Sequence, residues 1–405
     1  MPSPLPRLRA ALTVLVMAVA AVLSAPPPAA HAAVALTRVT GFGSNPGQLS
    51  MYVHRPASLP ASPPVVVALH GCTQNAQVYA DHSGLPDMAA RAGFLLVLAE
   101  QQASNNLNKC FNWFRTSDSR RGQGEAASIR QMVAHAVATF GADPRRVYVT
   151  GLSAGGAMTS VMLAAYPDVF TAGAVVAGVP YDCARDVASA YSCMNPGVDL
   201  SPAQWAQRVR DAHPAWTGPW PRVAVWQGDR DTTVVPRNAD ELRDQWTAVH
   251  GLSPTPTRTS VIGPDSTRHE EYAAADGTVA VEVNRVPAIG HGTPVDPGTG
   301  PAQCGSTAAA YFLDSICSSH WITAFFGLTE PGGGQTPPPG PGDGTASCWT
   351  GSNYHHVQAG RATTSGGSVL AKGSQQSMGP YNTFVVHTLK ESPAGYFTLA
   401  DGACP

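Results

Sequence analysis

The stretch RVYVTGLSAGGAM, Arg146–Met158, changes character at its centre. Its first residues are mostly apolar, as in a buried strand, and its last residues begin a helical pattern. Between them, residues 151–155 (GLSAG) fit the pattern G-x-S-x-G, in which a tight turn presents a serine at a helix N-terminus, where the amide dipoles favour developing negative charge. We therefore predict that Ser153 is a nucleophile, and the alternative is a Gly/Ser turn without a chemical role.

Outward from this turn, short apolar runs alternate with amphipathic patterns over about Val34–Leu328. One helical pattern, EAASIRQMVAHAVATFG, places Ile129, Met132, Val133 and Val137 on one face. Strands and helices in series predict the α/β class, with a mostly parallel sheet covered by helices on both faces. The other predicted strands are VVVALHG, FLLVLAEQ, AGAVVAG, RVAVWQG and VEVNRV, and the other predicted helices are AMTSVMLAAYPDVF, RNADELRDQWTAVHG and HWITAFFG.

A nucleophilic serine needs a histidine base and a carboxylate that orients it, here in the order Ser, acid, His. The stretch WQGDRDTTVVP follows an apolar strand and offers Asp229 and Asp231. We predict Asp231 as the acid, because the residues after it form a loop that can turn its carboxylate toward a histidine. Asp229 is expected to cap the turn, and the alternative is that both residues only form the turn.

Four histidines after Asp231 compete for the role of the base. His291 lies between glycines in AIGHGTP, where its ring can project into a site, and we predict it as the base. His250 ends a helix beside Gly251, which favours a capping role. His269 lies in the charged stretch STRHEEY and is expected at the surface, and His320 begins the last helix.

An oxyanion hole needs two N–H donors, one of which normally follows the nucleophile. That residue is Ala154, and the loop in VVVALHGCTQN supplies Cys72 as the predicted second donor. We expect His70 to hold this loop as a hydrogen-bonded structural residue. Trp113 in CFNWF is predicted either as a wall of the acyl pocket or as a core residue.

The N-terminus, residues 1–32, has the features of a secretory signal peptide, with Arg7 and Arg9, the apolar run ALTVLVMAVAAVL and the cleavage pattern AHA. A membrane anchor is the alternative. Secretion favours disulfides among the eight cysteines. Nearness in sequence suggests the pairs Cys183–Cys193, Cys304–Cys317 and Cys348–Cys404, which leaves Cys72 with Cys110, although sequence does not fix the connectivity.

The formal charge of −2 argues against nucleic acid as a partner. No CxxC or HxxxH spacing supports a metal site, and the predicted chemistry needs no cofactor. We expect a monomer that is secreted and does not associate with a membrane once the signal peptide is removed.

The chain changes composition after the predicted catalytic domain, residues 33–328. Residues 329–345 form a Pro/Gly linker, and residues 346–405 contain short alternating runs that predict a small β-rich module. The predicted strands of this module are HVQAGRATT, GSVLAKG, NTFVVHTL and GYFTLA. Its aromatic residues either bind a partner or form its own core, and they are Trp349, Tyr354, Tyr381 and Tyr396.

The motifs HGCTQN, NWF, RGQGEAASI, GLSAGGAM, WQGDRDTTV and GHG, in this order, resemble the extracellular polyhydroxybutyrate depolymerase family of esterases. The resemblance covers about Ala35–Gly327 and implies the α/β-hydrolase fold, with nucleophile, acid and base at Ser153, Asp231 and His291. The HGC loop lies before the serine motif, which is similar to the type 1 arrangement of this family.

The segments SNYHHVQAGRA and MGPYNTFVVHTLK resemble the C-terminal substrate-binding module of these enzymes, although only a short Pro/Gly stretch replaces the longer linker domain of many members. The resemblance implies hydrolysis of an insoluble polyester of the poly(3-hydroxybutyrate) type. The alternatives are a feruloyl or acetylxylan type of esterase whose tail binds plant polysaccharide, and a secreted adhesion protein without catalysis.

Overall fold

The computed structural model describes residues 33–328, 347–372, 374, 376–391 and 397–401, which fall into two compact units separated by the interval after residue 328. The predicted signal peptide (1–32), the predicted linker (329–345), Tyr396 and Cys404 lie outside the described residues. Each unit has its own sheets and its own buried core.

Strands of the first unit form a ten-stranded mixed sheet in the order β1-β2-β4-β3-β5-β6-β7-β10-β9-β8, and β11 and β12 form a separate parallel pair. Their bounds are β1 Thr37–Val39, β2 Ser50–His54, β3 Val65–Leu69, β4 Leu95–Glu100, β5 Val147–Leu152, β6 Ala172–Val176, β7 Arg222–Gly228, β8 Arg258–Ile262, β9 Thr267–Ala273, β10 Val279–Val286, β11 Thr293–Val295 and β12 Phe312–Asp314.

Helices connect these strands and cover both faces of the sheet. Their bounds are α1 Ala76–Ser83, α2 Leu85–Ala92, α3 Thr116–Ser119, α4 Gly124–Phe140, α5 Ala154–Ala165, α6 Val187–Met194, α7 Pro202–Ala212, α8 Arg237–Val249 and α9 Ser318–Phe325.

The six apolar runs of the sequence are the six central strands, β4, β3, β5, β6, β7 and β10, and all of them pair in parallel. Successive residues of β3 point to opposite faces: Val65, Val67 and Leu69 join one core, and Val66 and Ala68 join the other. Because both faces are covered, every residue of β3 is buried, and the strand shows no alternation of polar and apolar residues.

The antiparallel strands at the two edges of the sheet were not predicted. At one edge β10 pairs with β9 and β9 with β8, and at the other β4 pairs with β2 and β2 with β1. Strand β9 contains His269, and the prediction that this histidine lies at the surface is wrong. His269 is 9% exposed, and its ring contacts Asn284 Oδ1 at 2.7 Å and Glu271 Oε1 at 3.1 Å. Asn284 of β10, fifteen residues away, and Glu271 of the same strand compensate the burial of the ring, so a charged stretch in the sequence does not by itself place a histidine at the surface.

The second unit is β-rich, as predicted, with two three-stranded antiparallel sheets in the orders β13-β17-β18 and β14-β15-β16. The buried residues Val369, Met378, Leu389 and Phe397 belong to its core. The elements are β13 Ser347–Ser352, α10 Asn353–Gln358, β14 Ala362–Ser365, β15 Ser368–Ala371, β16 Ser377–Pro380, β17 Val386–Glu391 and β18 Phe397–Leu399.

The second unit differs from the prediction in strands β13 and β16, which were not predicted, and in one helix. The residues HVQ of HVQAGRATT lie in helix α10, and only the end of that run forms a strand. The Ser352 side chain caps the helix by accepting a hydrogen bond from the His355 N–H at 3.3 Å. The buried Asn353 then donates to the carbonyl oxygens of Met378 and Pro380, which anchors the helix to the module.

Candidate active site

Ser153 lies in the turn between β5 and α5, as predicted, with φ 56° and ψ −116°. Such a conformation is strained for a serine, and the Ser153 N–H helps to hold it by donating to the Val176 carbonyl oxygen at 2.9 Å. The glycines on both sides of the serine permit close approach of the backbone. A Cβ on Gly155 would overlap the carbonyl oxygen of Leu69, and one on Gly151 would lie 2.6 Å from the same oxygen.

Asp231 and His291 follow the carboxyl ends of the neighbouring strands β7 and β10 and meet through a hydrogen bond of 2.7 Å from His291 Nδ1 to Asp231 Oδ2. The Asp231 side chain is fully buried. Its Oδ1 accepts from the N–H groups of Thr233 and Val234, both at 2.9 Å, and Gln227 Nε2 lies 3.2 Å from Oδ2. The carboxylate is therefore fixed independently of the histidine, and the hydrogen bond at Nδ1 leaves His291 Nε2 as the ring nitrogen that can exchange a proton.

The competing residues have structural positions. Asp229 accepts a hydrogen bond from the Ala288 N–H at 2.8 Å and so links the two loops that carry Asp231 and His291. His250 is the C-cap of α8, as expected, and its Nε2 contacts the Pro221 carbonyl oxygen at 3.0 Å. His320 lies in α9, at the third residue of the helix.

The loop after β3 carries Cys72, which lines the same cavity as Ser153. The N–H groups beside it are used, because Gly71 donates to Gln74 Oε1 and Thr73 donates to the Asn108 carbonyl oxygen. Among the hydrogen bonds of the described residues, none comes from the Cys72 N–H. Ala154 is the first residue of α5, where an N–H has no partner within the helix. Two N–H groups are thus free to bind an oxyanion.

His70 has the structural role expected for it. Its Nε2 accepts from the Gln101 N–H at 3.1 Å, so Nδ1 carries the proton and donates to the Gly71 carbonyl oxygen at 2.7 Å. Burial lowers the pKa of His70 to about 4, so the ring is neutral at pH 7. The histidine therefore joins the ends of β3 and β4 without adding charge near the site.

A cavity of about 470 Å³ brings the candidate residues together. Ser153, Ala154, Cys72 and His291 line it, and Trp113 forms part of the wall. Trp113 is 7% exposed and packs edge-on against Phe114, with ring centroids 5.4 Å apart. Trp113 therefore belongs to the core and also lines the cavity, and its role as a wall of the acyl pocket stays a prediction.

Several residues at the mouth of the cavity were missed. Tyr311, at φ 69°, lies 43% exposed, and its ring centroid is 6.1 Å from that of His291. Val187 and Tyr191 of α6 line another side. The stretch AAAYFLDS around Tyr311 carries no motif, so only the fold could place this tyrosine beside a histidine twenty residues earlier in the chain.

Three disulfides hold segments around the cavity: Cys183–Cys193 and Cys304–Cys317, which nearness in sequence suggested, and Cys72–Cys110, the pair that remained. The fourth suggested pair, Cys348–Cys404, includes a residue outside the described ones. The segments enclosed by the three disulfides contain Asn108, Tyr191 and Tyr311 respectively, each of which lines the cavity. The disulfides therefore stiffen the walls of the site.

Among the described residues, no group of three or more histidine, cysteine or acidic side chains is arranged to hold a metal ion. No helix in the described ranges has the length and apolar character needed to cross a membrane.

A mostly parallel sheet with helices on both faces and a serine in the turn after a central strand defines an α/β-hydrolase. A family model described as Esterase PHB depolymerase matches residues 47–263. The chain is 50% identical over 295 residues to poly(3-hydroxyalkanoate) depolymerase C of Paucimonas lemoignei, covering 73% of this chain and 70% of that one. This chain therefore belongs to the PHB depolymerase family of esterases, and it is a carboxylic ester hydrolase of the serine type.

Other relatives act on different esters. An acetylxylan esterase of Coprinopsis cinerea is 35% identical over 266 residues, which cover 64% of this chain and 69% of that one. The solved structure of an acetyl xylan esterase from Aspergillus awamori matches with a TM-score of 0.59 and 30% identity, over 64% of this chain and 94% of that one. The family and the fold are thus shared by enzymes with at least two kinds of substrate.

Proposed function

We propose that the protein is a secreted depolymerase that hydrolyses polyester of the poly(3-hydroxybutyrate) type, with Ser153, His291 and Asp231 as its catalytic residues. The observation that carries the substrate class is the apolar mouth of the cavity. Val187, Tyr191 and Tyr311 line the cavity and are 53%, 66% and 43% exposed. Leu107 is 89% exposed and lies in the sequence between Asn106 and Asn108, which also line the cavity. An exposed apolar rim suits contact with a hydrophobic solid.

The first half of the reaction forms an acyl-enzyme. Ser153 Oγ attacks the ester carbonyl carbon while His291 Nε2 accepts the hydroxyl proton, and the Asp231 carboxylate stabilises the resulting imidazolium. The carbonyl oxygen becomes an oxyanion that accepts hydrogen bonds from the N–H groups of Ala154 and Cys72. The ester C–O bond then breaks, and His291 returns the proton to the leaving alkoxide.

The second half releases the acid. Water gives a proton to His291 Nε2 and attacks the acyl carbon, and the oxyanion forms again in the same position. The bond to Ser153 Oγ breaks, and His291 returns the proton to the serine. Each cycle consumes one water and yields one free hydroxyl end and one free carboxylic acid, without a cofactor.

The second unit is proposed to bind the polymer. It presents an exposed face of Tyr354, Tyr381, Phe384 and Val386, which are 39%, 40%, 88% and 56% exposed. The rings of Tyr354 and Tyr381 lie 5.6 Å apart, and the backbone N–H groups of Tyr354 and Phe384 both donate to Asn382, which brings these three residues close together. Trp349, by contrast, packs against the core of the unit under the Arg361 guanidinium.

Secretion and a monomeric state are part of the same proposal. The disulfides suit the oxidising environment outside the cell. The partner of such an enzyme is its insoluble substrate.

The experiment compares the wild type with Ser153→Ala on a turbid polyhydroxybutyrate suspension and on a soluble p-nitrophenyl ester. We expect the wild type to clear the suspension and to split the soluble ester, and Ser153→Ala to do neither. A wild type that splits the soluble ester but leaves the suspension turbid would refute the polyester substrate. Activity retained by Ser153→Ala would refute the assigned nucleophile.

The second candidate is an esterase of plant cell-wall esters, which the relatives from Coprinopsis cinerea and Aspergillus awamori favour. The same assay with acetylated xylan and a feruloylated polysaccharide separates the two candidates. Release of acetate or ferulate at a higher kcat/KM than release of 3-hydroxy acid would support this alternative.

A further inference from the structure

Glu125 is a buried acid in the motif RGQGEAASI, to which the mechanism assigns no role. It is the second residue of α4 and is 1% exposed. Burial raises the pKa of Glu125, and the N–H groups that donate to its oxygens oppose this shift by stabilising the carboxylate. A carboxyl group is costly to bury, so its presence beneath the site calls for a specific role.

Three N–H groups donate to the Glu125 side chain. Gln101 Nε2 and Asn112 Nδ2 lie 2.5 Å and 2.6 Å from Oε1, and the Asn112 backbone N–H lies 2.8 Å from Oε2. Asn112 belongs to the motif NWF, so the contact joins two motifs through residues that are 13 positions apart. Both ends of the segment from Gln101 to Asn112 are thereby attached to one carboxylate.

The directions of these hydrogen bonds are fixed by the surrounding network. Gln101 Oε1 accepts from the Gln102 backbone N–H, so Gln101 Nε2 must point toward Glu125. Asn106 Oδ1 accepts from the Asn108 N–H, so Asn106 Nδ2 donates to Asn112 Oδ1 and leaves Asn112 Nδ2 for Glu125. Every polar atom that contacts the Glu125 side-chain oxygens is therefore a donor.

Two routes connect this carboxylate to the Cys72 amide. In the first, Gln101 Nε2 also donates to the Cys110 carbonyl oxygen at 3.2 Å, and Cys110 is bonded to Cys72. In the second, Asn112 holds Asn106, and the Asn108 carbonyl oxygen accepts from the Thr73 N–H at 2.6 Å. The segment Gln101–Asn112, which Glu125 anchors, therefore holds the loop with Cys72 at two points: the disulfide to Cys110 and the hydrogen bond from Thr73.

We propose that Glu125 is a positioning residue for the oxyanion hole, acting through the segment Gln101–Asn112 on the Cys72 N–H. The inference rests on the proposed role of that N–H. An oxyanion donor must lie within a few tenths of an ångström of the position that the oxygen reaches in the transition state. A loop that is free to shift binds the ground-state ester almost as well but stabilises the transition state less.

Glu125→Gln is the matched change, because it keeps the shape and replaces one acceptor with a donor. In either orientation its amide nitrogen faces an N–H group, since all neighbours donate. We expect kcat on a soluble p-nitrophenyl ester to fall about tenfold to a hundredfold, with KM within about twofold of the wild-type value. Partial unfolding would also lower the apparent kcat, because less of the enzyme would be active. The melting temperature and the circular dichroism spectrum are therefore measured together with the kinetics.

Glu282→Gln is the control for loss of a buried carboxyl group. Glu282 is 7% exposed, burial raises its pKa to about 7, and it accepts from Asn284 Nδ2 at 3.0 Å. Glu282 on β10 pairs in register with Ala224, near the start of β7. Asp231 follows the other end of β7, so Glu282 lies away from the candidate active site. We expect its kcat and KM to stay within about twofold of the wild type.

The double variant Asn112→Asp with Glu125→Gln tests the contact itself, and it decides the question if Glu125→Gln does not fold. The exchanged pair can again form a donor–acceptor contact, so we expect the double variant to fold and to exceed the kcat of Asn112→Asp alone. A kcat of Glu125→Gln equal to that of Glu282→Gln, or a double variant no better than Asn112→Asp, overturns the inference. Because Ser153→Ala tests the site independently, an inactive Ser153→Ala beside such a result refutes only the role of Glu125.

Discussion

Backbone N–H groups hold the Asp231 carboxylate, and the carboxylate in turn orients the His291 ring. Asp231 Oδ1 accepts two backbone hydrogen bonds within its own loop, and its Oδ2 accepts the hydrogen bond of His291. The orientation of the carboxylate therefore does not depend on the histidine. The histidine, in contrast, depends on the carboxylate for both its tautomer and its ring position.

At the residue scale, Asp231→Asn should separate the two functions of this side chain. The amide oxygen can still accept from Thr233 and Val234, but the amide nitrogen then faces His291 Nδ1 and favours the wrong tautomer. We expect kcat on a soluble ester to fall about 10³-fold to 10⁴-fold while the fold is retained. Steady-state kinetics and thermal melts provide the measurement.

Asp229→Asn is the control for Asp231→Asn, since Asp229 only accepts the Ala288 N–H and an amide oxygen can replace it. We expect activity within a few-fold of the wild type. Equal losses in the two variants would contradict the assignment of Asp231 as the acid.

At the scale of elements, the site depends on loops that follow neighbouring strands and are joined to each other. The ends of β3 and β4 meet through His70, which accepts from Gln101 and donates to Gly71. His70 can do both only as the neutral ring, because a protonated ring has no acceptor left at Nε2. The loop with Cys72 is therefore sensitive to acid.

The sign of this effect follows from the lowered pKa of His70. Between pH 6.5 and about 4 the unfolded chain binds a proton at this histidine and the folded chain does not. The stabilising contribution of the neutral ring is thus present above pH 6.5 and is lost as the pH falls toward 4, at up to about 1.4 kcal/mol per pH unit. Glutamine can replace both hydrogen bonds without titrating.

We therefore expect His70→Gln to lose less free energy of unfolding than the wild type between pH 7 and pH 4. Urea unfolding at several pH values measures the free energy of unfolding of both proteins. Subtracting one curve from the other removes the contribution of the carboxyl groups that titrate in the same pH range. Parallel curves for the two proteins would contradict the neutral, buried state of His70.

At the scale of the whole molecule, the chain has two compact units, each with an exposed apolar surface. In the first unit this surface surrounds the cavity, and in the second it is formed by Tyr354, Tyr381, Phe384 and Val386. A binding unit joined to a catalytic unit raises the local concentration of substrate without changing the chemistry. The two surfaces are therefore expected to affect solid and soluble substrates differently.

The full-length variant Phe384→Ser with Val386→Ser tests this expectation. Both side chains are largely exposed, so the change should cost little stability. We expect adsorption to polyhydroxybutyrate granules and the rate of clearing to fall several-fold, with unchanged kcat/KM on a soluble ester. Sedimentation of the granules measures adsorption.

Val261→Ser serves as the control, because Val261 is 65% exposed on β8 and does not line the cavity. It should adsorb and clear like the wild type. Equal adsorption by all three proteins would contradict a role of the second unit in binding the polymer.

The sequence alone determined the central part of this protein. Strands that are buried on both faces appear in the sequence as continuous apolar runs, and the glycines next to Ser153 mark its turn. Each of these features can therefore be recognised from a short stretch of sequence. The edge strands β1, β2, β8 and β9 were missed, because their residues are not uniformly apolar. Helix α10 was missed as well: its cap, Ser352, is local, but its anchor is the hydrogen bond from Asn353 to the Met378 carbonyl oxygen, 25 residues away.

The tertiary structure decided which polar residues meet. Asp231 and His291 are 60 residues apart, and their hydrogen bond exists only because β7 and β10 are adjacent in the sheet. The burial of His269, the place of Tyr311 beside His291 and the attachment of the Cys72 loop to Glu125 arise in the same way. A single side chain carries no local pattern, so its partners are fixed only when the order of the strands brings distant loops to one edge.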